Sequence, residues 1–259
     1  DKPALLASLA DRVTAAATHA GATAGESLMA VLPKLKLLAN LGVGYDGVDV
    51  PAARARGIAI TNTPDVLTDD VADVALMLLL GAVRRLPQGD AFVRSGQWLK
   101  GPPPLTQKIG GRKAGIVGLG RIGLAIAHRL VACGVTVAWH GPRAKPETAY
   151  PYYAKLTDLA RDSDFLIAAC PGGPTTRNLV NAEVLEALGP QGWLINVARG
   201  SVVDEPALIA ALRDKKIAGA GLDVFAEEPR VPADLLAFDN VVVQPHVGSA
   251  TVETRRAMA

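Results

Sequence analysis

The sequence has only two cysteines, Cys133 and Cys170, among 259 residues, and both lie in apolar segments. This excludes a disulfide framework and is typical of buried thiols in a reducing compartment, so we predict a cytoplasmic protein. Long hydrophobic runs are also missing, since the longest one, Val74 to Val83, is too short to span a bilayer. We therefore expect no membrane partner.

An excess of charge of one sign is missing as well. Lys and Arg number 27 and Asp and Glu 25, which gives a formal net charge of +2, and the basic residues form no block. Because nucleic-acid grooves need clustered basic side chains, we expect no nucleic-acid partner. Apolar residues make up 49% of the chain and charged residues 20%, a composition that supplies a core and excludes disorder.

The sequence is instead rich in short apolar strands that alternate with helical patterns. From Lys113 onward, six strands are predicted in "KAGIVGLG", "VTVAW", "DFLIAAC", "GWLINV", "AGAGLDV" and "NVVVQ". Helices are predicted in "NAEVLEALG", "DEPALIAALRDKK" and "RIGLAIAHRLVACG", the last ending at Gly134. This alternation predicts a parallel sheet covered on both faces, which is a doubly wound α/β domain.

A smaller α/β segment precedes that domain. Buried strands are predicted in "KLKLLANLGVGYDGVD" and "GIAITNTP". The segment "TDDVADVALMLLLGAVRRL" predicts one long helix with a Thr/Asp cap, placed as a hinge between two lobes. The prolines of "KGPPPL" predict a loop, because consecutive prolines cannot continue a helix.

The first strand of the larger domain runs into a G-x-G-x-x-G pattern that opens a helix. The pattern consists of Gly118, Leu119, Gly120, Arg121, Ile122 and Gly123. Gly118 permits a tight turn, Gly120 a close approach of a diphosphate, and Gly123 the packing of helix on strand. Free N–H groups and the positive end of the helix dipole favour the diphosphate. The pattern predicts a dinucleotide site, and a tight turn without a ligand is the alternative.

The next strand lacks the acidic residue with which NAD-binding domains usually hold the adenosine ribose. It ends in "WHGPR", and no acid follows until Glu147. Arg143 offers a guanidinium for a 2′-phosphate, Lys145 a second cation, and Gly141 room beside the backbone. We predict NADP(H) as the cofactor, with NAD(H) as a weaker alternative. The alternative is that Arg143 is a solvent-exposed loop residue that binds no ligand. This alternative does not explain why the acidic residue is missing from the end of the strand.

Four charged or titratable side chains follow successive strands of the larger domain. Arg199 comes after "WLINV", Asp223 ends "AGAGLD", Glu228 lies in the next loop, and His246 follows "VVVQ". Ligands of open α/β sheets bind beyond the carboxyl ends of the strands, so we expect these side chains at one rim. Taken singly, each residue could have a role unrelated to catalysis. Arg199 could form a surface ion pair, Glu228 could be a solvated loop charge, and His246 could be a structural histidine.

Together, these side chains predict hydride transfer to the carbonyl of a 2-keto acid. Arg199 can bind the substrate carboxylate and polarise the carbonyl with its planar guanidinium. His246 can protonate the carbonyl oxygen, and Glu228 favours the charged form of the imidazole. We therefore predict Arg199, Glu228 and His246 as the catalytic residues and expect no metal.

Four segments in order, "VGLGRIG", "NVARGSVVDEPAL", "GLDVFAEEP" and "PHVGSAT", resemble the D-isomer-specific 2-hydroxyacid dehydrogenases. The likeness covers nearly the whole chain. "NTPDVLTDDVADVALMLLL" and "GQWLKGPPPLT" are most similar to the glyoxylate/hydroxypyruvate reductase branch, which includes hydroxyphenylpyruvate reductases. The resemblance implies two Rossmann-like lobes, a doubly wound cofactor domain and a smaller flavodoxin-like substrate lobe.

The resemblance also implies domain boundaries. The substrate-binding lobe would comprise residues 1–72, the NAD(P)-binding domain with its hinge helix 73–249, and the start of a helix returning to the substrate lobe 250–259. Relatives carry further sequence before Asp1 and after Ala259, so the chain is expected to be trimmed at both termini.

Further roles follow from the same resemblance. Asp223 would hold the nicotinamide carboxamide, and the backbone amides at Val43 and Gly44 would bind the substrate carboxylate. Trp98 resembles an aromatic residue that reaches into the active site of a neighbouring subunit, which implies a homodimer. An ordinary packed tryptophan near a helix end is the alternative for Trp98.

Three other classes of protein share this architecture. Formate dehydrogenases resemble one another in a Gln at the position of Glu228, so the Glu favours keto-acid reduction. An NAD-dependent D-3-phosphoglycerate dehydrogenase is the alternative within the enzyme class. An NAD(P)(H)-binding regulatory protein, similar to the corepressors that share the fold and the triad, is the alternative from another class.

Overall fold

The computed structural model of the chain describes residues 2–19 and 23–259. It consists of two compact units, Asp1–Leu67 with Thr251–Ala259, and Thr68–Ala250. Each unit contains its own parallel sheet. The domain boundaries expected at residues 72 and 249 stay predictions.

The smaller unit is built on three parallel strands. Its elements are α1 (Lys2–Leu9), β1 (Ala15–His19), α2 (Glu26–Val31), β2 (Leu37–Leu41), α3 (Val50–Ala55) and β3 (Ala59–Thr61). The strand order is β1-β2-β3. Met29, Leu38 and Ala53 are fully buried in its core. The two predicted strands correspond to β2 and β3, whereas β1 was not predicted because its alanine-rich sequence carries little strand signal.

The larger unit alternates helices and strands as the sequence predicts. Its helices are α4 (Thr68–Val83), α5 (Leu86–Arg94), α6 (Arg121–Ala132), α7 (Leu156–Arg161), α8 (Ala182–Leu188), α9 (Glu205–Arg213) and α10 (Ala233–Ala237). Its strands are β4 (Lys113–Val117), β5 (Thr136–His140), β6 (Tyr152–Tyr153), β7 (Phe165–Ala168), β8 (Trp193–Asn196), β9 (Gly219–Leu222) and β10 (Val241–Val243). The helix α11 (Val252–Met258) belongs to the smaller unit.

The strands of the larger unit form one seven-stranded sheet in the order β10-β9-β8-β7-β4-β5-β6. Every pairing in it is parallel. All residues of β7, β8 and β9 are buried, as expected for central strands with helices on both faces. This confirms the predicted doubly wound α/β domain. The strand order reverses beside β4, which marks the crevice where such sheets bind ligands.

The predicted hinge helix is shorter in the structure than in the sequence pattern. We expected one helix through "AVRRL", but α4 ends at Val83 and Arg85 adopts a left-handed conformation with φ 53°. The next helix, α5, carries Pro87 in its first turn. Proline fits there because it lacks an N–H, and inside a continuous helix it would remove a backbone hydrogen bond. The chain therefore forms two helices.

Both cysteines are free thiols. Cys170 is buried, and burial raises the pKa of its thiol to about 11 despite a backbone hydrogen bond. Cys133 is only half-buried, which corrects the expectation that both thiols lie in the core. In the part of the chain that the structure describes, no helix is both long enough and apolar enough to cross a membrane.

Candidate active site

The G-x-G-x-x-G turn links β4 to α6, and two of its glycines are required by packing. Gly118 has a left-handed φ of 96°, and a Cβ atom there would lie 2.7 Å from the Cα atom of Cys170. At Gly123, a Cβ atom would overlap the carbonyl oxygen of Gly118. Only glycine allows the turn and the helix to meet this closely.

Gly120 differs from the other two, because a Cβ atom there would meet nothing within 4 Å. It is the N-cap residue of α6 and makes no side-chain capping hydrogen bond. Arg121 and Ile122 begin the helix beyond it. The turn therefore presents open space at a helix N-terminus, which fits the diphosphate of a dinucleotide.

The carboxyl end of β5 carries the residues predicted to select the cofactor. Gly141 is buried, and a Cβ atom there would lie 3.1 Å from the ring of Trp139, a tight contact that the ring could relieve only by a small shift. Arg143 is exposed, and within the described residues its guanidinium makes no hydrogen bond or ion pair. An unpaired guanidinium at this position is available for a phosphate.

His246 and Glu228 form a hydrogen-bonded pair. His246 Nδ1 lies 2.7 Å from Glu228 Oε2, and the Phe225 N–H donates to Glu228 Oε1 at 3.1 Å. Burial alone would raise the pKa of Glu228, but the hydrogen bonds from His246 and Phe225 and the charges of His246 and Arg199 hold it below its ordinary value. An ionised carboxylate only accepts hydrogen bonds, so Nδ1 donates the proton and Nε2 is left for substrate.

The backbone that carries His246 is held by Asp223. Asp223 is 2% exposed, and its carboxylate accepts from Val247 N–H at 2.8 Å and from Gly248 N–H at 3.0 Å. The His246 N–H donates to the Asp223 carbonyl at 2.8 Å, and His246 itself has a left-handed φ of 54°. Burial raises the pKa of Asp223 although these hydrogen bonds oppose the shift. Asp223 thus fixes the turn of His246, and its predicted contact with a carboxamide stays a prediction.

Arg199 lies three residues after Asn196, the last residue of β8. Its Nη1 donates to the Ala198 carbonyl at 2.7 Å, and the side-chain amide of Asn196 donates to the Arg199 carbonyl at 3.0 Å. Its charge contributes to the lowered pKa of Glu228. Arg199, Glu228 and His246 therefore lie at the same carboxyl edge of the large sheet, as the strand pattern predicted.

In the smaller unit, the loop after β2 carries the predicted carboxylate-binding amides. The side-chain amide of Asn40 donates to the carbonyls of Gly42 and Gly44, each at 3.1 Å, and that of Asn62 donates to the Val43 carbonyl at 3.0 Å. Among the described residues, neither the Val43 N–H nor the Gly44 N–H donates a hydrogen bond. Both N–H groups therefore remain available to a ligand, and their predicted contact with a substrate carboxylate stays a prediction.

Asn40 and Asn62 were not predicted from the sequence. Asn40 ends the apolar pattern of β2, and Asn62 follows β3, so the two lie 22 residues apart in the chain. Both side chains bind carbonyl groups of the loop after β2, and this becomes apparent only once β2 and β3 are paired. An asparagine near the carboxyl end of each of two predicted strands was the available signal.

Trp98 lies in a short 3₁₀ helix, Gln97–Lys100, that follows α5. It is 64% exposed, and the nearby Leu99 and Leu105 are 94% and 99% exposed. Its side chain is therefore largely exposed in the described chain, and its predicted contact with a neighbouring subunit stays a prediction.

Comparison with known proteins agrees with this geometry. Residues 76–248 match the family model of the D-isomer specific 2-hydroxyacid dehydrogenase, NAD binding domain. The chain is 48% identical over 254 residues to hydroxyphenylpyruvate reductase of Plectranthus scutellarioides, covering 98% of this chain and 81% of that protein. It is 47% identical over 259 residues to glyoxylate/hydroxypyruvate reductase A of Arabidopsis thaliana, covering 100% and 83%.

A solved structure is similar over almost the same length. It is the NADPH-dependent glyoxylate/hydroxypyruvate reductase of Sinorhizobium meliloti in complex with NADP and malonate. It has 51% sequence identity and a TM-score of 0.93, and the match covers 97% of this chain and 78% of that one. The chain therefore belongs to the family of D-isomer specific 2-hydroxyacid dehydrogenases.

Proposed function

We propose that this chain catalyses the NADPH-dependent reduction of a 2-keto acid, such as glyoxylate or hydroxypyruvate, to the D-2-hydroxy acid. The observation that carries the proposal is the His246–Glu228 pair, 2.7 Å apart, beside Arg199 at the carboxyl edge of a dinucleotide-binding sheet. The family and the activities named for its relatives support the same reaction.

The glycine turn and the first amides of α6, at Gly120, Arg121 and Ile122, would hold the cofactor diphosphate. When bound, the reduced nicotinamide supplies the hydride that the substrate carbon receives. The protein supplies the remaining chemistry, which is orientation, charge and a proton.

His246 delivers that proton to the keto oxygen from Nε2. Its Nδ1–H is already engaged by Glu228, so the ring keeps one orientation and its protonated form has a counter-charge. Arg199 binds the substrate carboxylate and polarises the keto group. Since the oxygen becomes negative as the carbon is reduced, a nearby guanidinium stabilises the transition state more than the ground state.

The amides of Val43 and Gly44 are proposed as further donors to the substrate carboxylate. Asn40 and Asn62 hold the carbonyls of this loop, so the N–H groups keep a fixed direction. Fixing the donors in advance lowers the cost of binding a small anion.

Arg143 is proposed to bind the 2′-phosphate of NADPH, with NADH as the weaker cofactor. Its exposed guanidinium and the missing acid at the end of β5 support this preference. We further propose a cytoplasmic homodimer in which Trp98 approaches the active site of the other subunit; the exposure of Trp98, Leu99 and Leu105 supports the association.

Turnover separates this reaction from its alternatives. Purified protein is assayed for NADPH and NADH oxidation with glyoxylate, hydroxypyruvate and hydroxyphenylpyruvate, and kcat/KM is compared across the panel. We expect oxidation of NADPH in preference to NADH. Tight NADPH binding without oxidation by any of these keto acids would instead identify a regulatory binding protein. Strict NAD dependence with oxidation of D-3-phosphoglycerate would identify a phosphoglycerate dehydrogenase.

A further inference from the structure

Lys145 connects the two loops that follow β4 and β5. Its Nζ donates to the carbonyl oxygen of Leu119 at 2.6 Å. Leu119 lies between Gly118 and Gly120, in the turn that opens α6. The ammonium group is therefore already bound to the turn that fits the cofactor diphosphate, and does not extend freely beside Arg143.

The position of Lys145 is fixed by its surroundings. The side chain is half-buried, and its Nζ lies 5.9 Å from the ring centroid of Trp139. Trp139 is 1% exposed, and its indole N–H donates to the Tyr150 carbonyl at 3.1 Å. A cation over a fixed indole gains a cation–π attraction and loses little further freedom when it binds the Leu119 carbonyl.

The hydrogen bond orients one particular backbone donor. The Leu119 carbonyl and the Gly120 N–H belong to the same peptide group, and in a planar trans peptide these two point in opposite directions. Holding the carbonyl against Lys145 directs the Gly120 N–H away from it. The ammonium also polarises the peptide, which strengthens that N–H as a donor.

We infer that Lys145 is a positioning residue of the diphosphate-binding turn, and that it raises the affinity for NADPH and NADH by the same factor. This differs from the sequence-based expectation that Lys145 is a second cation for the 2′-phosphate. Discrimination between the two cofactors rests with Arg143 instead. The inference rests on the proposed function only in requiring that the site binds a nicotinamide dinucleotide.

The test measures cofactor binding by the full chain without any keto acid. Dissociation constants for NADPH and NADH are determined by calorimetry for the wild type, Lys145→Met and Arg143→Ala. Lys145→Met is expected to raise both constants about ten-fold and equally, the effect of losing one charge-assisted hydrogen bond. Arg143→Ala is expected to raise only the constant for NADPH. Lys108→Met is the charge-matched control, because Lys108 is exposed and precedes β4 at the opposite edge of the sheet.

A second readout needs no cofactor. In the free protein, hydrogen exchange at the amides of residues 119–123 is expected to be faster in Lys145→Met than in Lys108→Met. Lys145→Arg, which keeps a charged donor, is expected to recover part of the affinity for both cofactors. If Lys145→Met does not fold, Lys145→Gln, which loses the charge but keeps a donor, is measured in the same way.

Two results would overturn the inference. Equal affinities of Lys145→Met and wild type would show that the hydrogen bond does not prepare the turn. A loss confined to NADPH would show that Lys145 binds the 2′-phosphate. If the wild type bound neither cofactor, the proposed function itself would fail, and this outcome is distinct from both.

Discussion

His246 has two ring nitrogens, and the structure gives them different tasks. Nδ1 faces Glu228, so in the proposed reaction the proton for the substrate leaves from Nε2. Replacing His246 with Ala removes this donor and leaves the glycine turn intact. We expect kcat to fall by about 10²–10⁴-fold, the usual contribution of general acid catalysis, with an unchanged Kd for NADPH. Single-turnover measurement of NADPH oxidation gives the rate, and a near-normal kcat would rule out His246 as the donor.

Glu228 is proposed to orient the ring of His246 and to balance its charge during proton transfer. Its pKa lies below the ordinary value, so the carboxylate is ionised at neutral pH. Glu228→Gln removes that charge and keeps an oxygen that accepts from Nδ1. We expect kcat with NADPH to fall at neutral pH while the Kd for NADPH is unchanged. A kcat equal to that of the wild type would contradict the pairing.

The same pair affects stability, with the sign set by the direction of the shift. A carboxylate whose pKa is lowered by folding stabilises the native state above its unfolded value and loses this effect as the pH falls through the folded value. The free energy of unfolding of the wild type should therefore exceed that of Glu228→Gln at neutral pH. The difference should disappear below the lowered pKa of Glu228.

Arg143 is the residue proposed to set the cofactor preference. In Arg143→Glu a carboxylate replaces an exposed, unpaired guanidinium. It would repel a 2′-phosphate and can hydrogen-bond a free ribose hydroxyl. We expect the ratio of kcat/KM with NADPH to that with NADH to fall, measured with one keto acid at one ionic strength. An unchanged ratio would show that the segment "WHGPR" does not select the cofactor.

At the scale of elements, the glycines of the β4–α6 turn differ in role. Packing requires glycine at one position, and cofactor binding is proposed to require it at another. Gly123→Ala would force a Cβ atom against the Gly118 carbonyl, so we expect a loss of about 1–3 kcal/mol in the free energy of unfolding.

Gly120→Ala should fold normally, because its Cβ enters open space and its φ of −83° suits alanine. It should nevertheless weaken NADPH binding, since that space is where the diphosphate would lie. Thermal unfolding and calorimetry on both variants distinguish the two effects, and normal binding by a well-folded Gly120→Ala would place the diphosphate elsewhere.

The elements that the sequence predicted well are those with a strong local signal. All six strands predicted from Lys113 onward are present, because each is a short, mainly apolar run bounded by turn residues. The missed β6 has only two residues, Tyr152 and Tyr153, too few for any periodic pattern. The break at Arg85 was missed because the apolar pattern continues to Leu86 and hides the start of α5.

The candidate site shows the same division. The positions of the glycine turn and of the strand-end residues Arg199, Glu228 and His246 agree with the sequence prediction, because each follows a strand of the parallel sheet. Their roles stay predictions. Asn40, Asn62 and the bond from Lys145 to Leu119 were not found, since each joins segments whose proximity depends on strand pairing. The local sequence pattern thus predicts which residues share one edge of the sheet, while the hydrogen bonds that support them can be seen only in the tertiary structure.

At the scale of the whole molecule, an apolar region of the larger unit is left uncovered by the residues that the structure describes. The helix α5 has no buried residue, and Trp98, Leu99 and Leu105 follow it with their side chains largely in solvent. Soluble monomers rarely expose several large apolar side chains together. A second copy of the chain would bury them, which is the proposed homodimer.

The proposed dimer is tested by making this region polar. In the double variant Trp98→Ser with Leu99→Ser, the apolar area available to a second copy is reduced, so we expect a monomer where the wild type is a dimer. Light scattering after size-exclusion chromatography measures the mass. The glycine turn lies in other elements, so the Kd for NADPH should be retained while kcat/KM for keto acids falls if Trp98 reaches the partner's site. Leu236→Ser on α10, where the side chain is 59% exposed, is the matched control. A monomeric wild type, or a double variant that remains dimeric, would exclude this surface as the interface.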